Sequence, residues 1–117
     1  MSNLNDLSEL SHLKTLNLST CRFPADSLSV IAGLPALQEL NLSDCGLSTI
    51  AGLEGAQKLT ALDLSSNTIR NLEPLSGLTD LTELHLQHNA VTDLTVIGNL
   101  ANLDSLDVSY NSLTSIA

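Results

Sequence analysis

The chain has 117 residues and a net charge of −9, from 13 Asp and Glu against 4 Lys and Arg, which excludes the clustered basic surface that a nucleic-acid backbone requires. Its length is that of one domain, and 43% hydrophobic against 15% charged residues describes a globular chain whose core, with aromatics at 2%, must be aliphatic. No apolar run approaches the roughly 18 residues of a membrane span, and "MSNLNDLSEL" lacks the basic flank and apolar centre of an export signal.

In chain order, residues 1–12 form a partial unit, followed by "LKTLNLSTCRF" from Leu13, "LQELNLSDCGL" from Leu37, "LTALDLSSNTI" from Leu59, "LTELHLQHNAV" from Leu81 and "LDSLDVSYNSL" from Leu103. The units repeat every 22 residues after one interval of 24. Such a period marks a solenoid, in which one coil cannot bury its apolar side alone and is stable only when stacked on a neighbour. One domain over 1–117 is expected.

Each unit has two rhythms. L-x-x-L-x-L-x-x-N fits a turn entering a short strand, with the alternating Leu pair pointing inward and the residues between them outward. Behind it, Ile69, Leu72, Leu75 and Leu78 recur every three residues, as do Val91, Leu94, Ile97 and Leu100. That spacing suits 3₁₀ turns or extended segments better than a full α-helix. The first unit differs: "CRFPADSLSVIAGLP" carries two extra residues, with Asp26 as N-cap, Leu28 and Ile31 three apart and Gly33 as the C′ residue of a short helix. Cys21 and Cys45 hold the slot of Asn67, Asn89 and Asn111, where a small polar side chain turns inward. Both thiols point the same way into the core, which suits reduced cysteines better than a bridge, and Phe23 is expected to be buried. Sequons at Asn17 and Asn41 sit in strands and read as accidents of the repeat.

The five matches to L-x-x-L-x-L-x-x-N/C-x-L resemble leucine-rich repeat proteins, and "IRNLEPLSGLTDLTELHLQHNAV" is similar to the 22-residue subclass of bacterial internalins and of a regulatory subunit of protein phosphatase 1. The resemblance implies an α/β solenoid, a right-handed curved stack with a parallel β-sheet on its concave face and 3₁₀, extended or short helical segments on the convex face. It also implies a protein-binding role for the concave side.

Lining up the units gives outward rows: Thr15, Glu39, Ala61, Glu83, Ser105, then Asn17, Asn41, Asp63, His85, Asp107. A third row runs Ser19, Ser43, Ser65, Gln87, Ser109, and beside it lie Thr20, Asp44, Ser66, His88 and Tyr110. The carboxylates of these rows, with Asp104 and against the single base Lys14, would attract a partner protein with a basic surface. The candidate binding residues are Glu39, Asp44, Asp63, Glu83, His85, His88, Asp107 and Tyr110, the last a hot spot as the one aromatic of the face. His85 is expected between the carboxylates of Asp63 and Asp107.

A spacer segment of a longer solenoid is the alternative, and a hydrolase or metal site at Asp63, His85 and Asp107 a third reading. No catalytic or nucleotide-binding signature is present, and neither enzyme activity, cofactor nor metal is expected. The chain starts in mid-coil near Leu4 and stops at Ile116 after an apolar position, so a fragment, or self-association through an uncapped C-terminal end, is expected. Unpaired thiols fit a cytoplasmic location. Surface display as in internalins is the alternative if an export signal lies outside the chain.

Overall fold

The computed structural model describes residues 13–20, 22 and 27–111. Five strands, β1 (Thr15–Asn17), β2 (Glu39–Asn41), β3 (Ala61–Asp63), β4 (Glu83–His85) and β5 (Ser105–Asp107), form one parallel sheet in chain order. The register is that of the repeat: Leu16, Leu40, Leu62, Leu84 and Leu106 face one another in sequence, as do Asn17, Asn41, Asp63, His85 and Asp107. Backbone pairing continues past each strand, with the amides of Leu18, Leu42, Leu64 and Leu86 donating to the carbonyls of Asn41, Asp63, His85 and Asp107 at 2.8–2.9 Å. Every coil thus satisfies the polar backbone of its neighbour.

On the opposite side the three-residue beat produces 3₁₀ turns at Leu53–Gly55, Glu73–Leu75 and Thr95–Asn99. The longer first interval makes the short helix α1 (Ser27–Ala32), on which Leu28 and Ile31 are fully buried. Its cap differs from expectation. Gly33 follows the helix and donates its amide back to the carbonyls of Ser29 and Val30, but it has no positive φ. The glycine that is required is Gly52, at φ 108°, where a Cβ would stand 2.9 Å from the amide nitrogen of Ser29. It lets the next coil pass close under α1. Asp26, Cys21, Phe23, Leu4 and Ile116 lie outside the described residues.

The core is one aliphatic column. Leu42, Leu64 and Leu86 stack on one another, and Ile50, Leu53, Ile69, Leu75 and Leu78 close it on the convex side, each fully buried. Burial falls off in the fifth coil, where Leu106 is 40% exposed although its equivalents Leu62 and Leu84 are buried.

The inward slot is a hydrogen-bond ladder. Asn67 Nδ2 donates to the carbonyls of Leu42, Leu64 and Ser65, while its Oδ1 accepts from the amides of Cys45 and Leu47. Asn89 and Asn111 repeat the arrangement one and two coils on. Cys45 fills the slot differently: its buried thiol donates to the carbonyl of Leu18 at 3.1 Å.

Candidate functional site

The outward face of the sheet holds a depression of about 270 Å³ that runs from β1 to β4, with Thr15, Asn17, Glu39, Ala61, Asp63, Glu83 and His85 in its lining. In the row Thr15, Glu39, Ala61, Glu83, Ser105 the register sets Ala61 directly between the two glutamates, which stand on strands roughly 10 Å apart. Asp63 stands two residues along β3 from Ala61.

The aspartates differ from the expected charged row. Asp63 Oδ1 accepts from both the amide and the hydroxyl of Ser65, at 3.0 and 2.6 Å, and Asp107 Oδ1 does the same with Ser109 at 3.0 and 2.7 Å. Asn17 and Asn41 make the equivalent bond to the amides of Ser19 and Ser43, each at 2.9 Å. These are Asx turns that steer the chain out of each strand. The backbone amide of Ser109, then its hydroxyl, hold the Asp107 carboxyl below its ordinary value, with the charges of His85 and His88 adding smaller contributions and slight desolvation opposing. His85 is paired along its own strand, its Nε2 3.0 Å from Oε2 of Glu83. Asp63, His85 and Asp107 therefore do not converge on one point, and among the described residues no cluster of three or more His, Cys, Asp or Glu could hold a metal ion. No described helix is long and apolar enough to cross a membrane.

Asp44 is also engaged. Arg22 approaches its carboxylate at 3.8 Å and donates to its carbonyl at 2.6 Å, so the face carries a second base besides Lys14. Asp44 belongs to a row that composition does not announce: Thr20, Asp44, Ser66, His88 and Tyr110 all adopt φ between 53° and 61°. No glycine relieves this left-handed row. Each of the first four donates its amide to the carbonyl of Ser43, Ser65, Gln87 or Ser109 in the next coil, and that continuous pairing offsets a conformational cost of about 1–2 kcal/mol per residue. At the end of the row the rings of His88 and Tyr110 lie stacked, centroids 4.4 Å apart and planes within 4°.

Comparison with known proteins accounts for this frame. The family description "Leucine Rich repeats (2 copies)" matches residues 35–77 and 57–99, more than half of the chain. The chain belongs to the leucine-rich repeat family. Internalin C2 of Listeria monocytogenes superposes with a TM-score of 0.89 at 35% identity, over 98% of this chain and 50% of that one. A leucine-rich repeat protein of Leptospira interrogans gives 0.88 at 30% identity, over 97% and 30%. A second Listeria monocytogenes internalin, at 24% identity and a TM-score of 0.89 over 99% and 34%, shares the fold. The chain spans between 30% and 50% of the length of these structures. No curated protein sequence matches it.

Leucine-rich repeat domains in general are protein-binding scaffolds without enzymatic activity. Within the repeat, the fourth coil breaks the local rule. Where the others read Asn or Asp, then Leu or Val, then Ser, it reads His85, Leu86, Gln87, so no Asx turn forms and the Oε1 of Gln87 is buried with no hydrogen-bond partner. The recurring N/D-x-S triplet was the signal for the turns, and its loss here marks the coil that supplies His85 and His88.

Proposed function

We propose that this chain is a protein-interaction module that receives a basic segment of a partner on its concave sheet face, at the depression over Ala61. The observation that carries the reading is the small side chain of Ala61 between Glu39 and Glu83, which leaves a carboxylate-walled hollow large enough for an ammonium or guanidinium group. The net charge of −9 draws such a partner from a distance. Glu39, Asp63 and Glu83 contact the cation, and His85 holds the Glu83 carboxylate in place. Asp44, tied to Arg22, belongs to the rim.

The test uses hexa-lysine as a probe, titrated into the protein at low and high salt. Binding that perturbs the amides of Glu39, Ala61 and Glu83 and weakens as salt rises is the expected result. A spacer segment would show neither effect.

A second contact is favoured by Leu106, 40% exposed on the edge strand β5: a further strand, including one from a second copy, can pair there and cover the leucine. Concentration-dependent sedimentation that Leu106→Lys abolishes supports that contact, and a monomer at every concentration opposes it.

A further inference from the structure

Tyr110 is the chain's single tyrosine, in a protein with one other aromatic residue of the Phe, Trp and Tyr set. It is 74% exposed and contributes nothing to the core. Its position is fixed from two directions. The left-handed backbone at His88 and Tyr110, φ 60° and 58°, sends both side chains off the same edge of the sheet, and the His88 amide donates to the Ser109 carbonyl at 3.0 Å, locking the two coils in step. The ring separation of 4.4 Å then follows from the spacing of neighbouring strands. A flat aromatic surface is thus held in place by the backbone ladder, with little ordering left to do on binding.

Asp107, the last residue of β5, lies three residues before Tyr110 in the same coil. Asp107 Oδ1 is anchored by the amide and hydroxyl of Ser109, the residue before Tyr110, and its Oδ2 makes no hydrogen bond among the described residues. The charges of His85 and His88 both act on this carboxyl, so the stacked pair and the acid share one neighbourhood. An open aromatic face next to an oriented carboxylate fits a planar cation, which can lie flat on the ring and direct an N–H fork at the acid. An ammonium group is compact and lacks the plane to do both. The strong negative charge of the chain favours a cation over an apolar occupant.

We propose that His88 and Tyr110 form a stacking platform for an arginine side chain of a partner protein, with Asp107 as its ion-pair partner. The inference rests on the protein-binding reading above and adds to it the residue type recognised at the C-terminal edge of the face.

The test compares hexa-arginine with hexa-lysine, both with blocked ends, titrated into isotope-labelled protein and followed by NMR. Hexa-arginine is expected to shift the tyrosine ring resonances and the amides of His88 and Ser109, and to bind roughly three-fold tighter than hexa-lysine. Tyr110→Phe should keep that preference, while Tyr110→Ala and Asp107→Asn should each reduce it. Equal affinities for the two peptides, with shifts confined to Glu39, Ala61 and Glu83, overturn the platform and leave the acidic depression standing. Arginine-selective shifts at Tyr110 that survive Glu39→Gln with Glu83→Gln support the platform independently of the depression. The absence of salt-sensitive binding by either peptide overturns both.

Discussion

His85 Nε2 lies 3.0 Å from Oε2 of Glu83, two residues back on the same strand, while Asp63 and Asp107 on the flanking strands are turned onto their own serines. The imidazole thus acts on the wall of the Ala61 depression rather than bridging three strands. With side chains 32% and 53% exposed, the pair remains in contact with solvent, so it orients Glu83 without adding much stability.

The depression predicts a graded loss of binding. Glu39→Gln and Glu83→Gln should each weaken hexa-lysine binding about three-fold and flatten its salt dependence, since each removes one solvent-screened charge contact. Ala61→Leu, which fills the hollow without changing charge, should weaken binding at least as much. Calorimetric titration at two salt concentrations checks both, and unchanged affinity for all three variants would place the binding surface elsewhere.

Asn67 carries the heaviest structural load of any polar side chain described, meeting five backbone groups. Asn67→Ala should cost about 3–5 kcal/mol, because it orphans buried amides and carbonyls in two coils. Cys45→Asn should stay within about 1 kcal/mol of the parent, since amide side chains fill the same slot at Asn67, Asn89 and Asn111. Urea unfolding measures both. A mild effect at Asn67 would mean that water replaces the ladder.

Asp107 and Asp93 predict the acid limb of stability. Hydrogen bonds from the amide and hydroxyl of Ser109 lower the first, and those from the hydroxyl and amide of Thr95 lower the second, from the ordinary 3.8. The unfolded chain therefore binds these protons at higher pH than the folded one. Their contribution is present in full above the unfolded value and is lost as pH falls through the folded value. Asp107→Asn keeps the Oδ1 acceptor and the turn but removes this acid dependence. Urea midpoints measured from neutral pH down past 3.8 should converge for parent and variant at the acid end.

The fourth coil can be returned to the pattern of its neighbours. His85→Asn combined with Gln87→Ser restores the Asx turn and removes the buried, unpartnered Oε1 of Gln87, which should raise stability by about 1 kcal/mol. The same change frees Glu83 from His85 and should alter binding at the depression. A destabilised double variant would show that Gln87 is satisfied by water or that the histidine supports the turn in another way.

The sequence by itself determined the solenoid and the register of the described strands. Stacked coils of equal length must set residue i against residue i + 22, and the 24-residue interval is absorbed by α1, so Thr15 still meets Glu39. It also determined the inward Asn slot, because a buried bend has few other ways to satisfy its backbone. Only the tertiary structure decided what the outward side chains do. Asp63 and Asp107 flank His85 in the register, as expected, yet a serine two residues ahead offers each of them both an amide and a hydroxyl, and His85 turns to Glu83 on its own strand. Such a local donor pair outcompetes a flexible partner one strand away. The left-handed row from Thr20 to Tyr110 was equally hidden, since only Asp44 and His88 are of types enriched in that conformation and Thr20, Ser66 and Tyr110 are not. The coil-to-coil ladder imposes it, and with it the stacking of Tyr110 on His88.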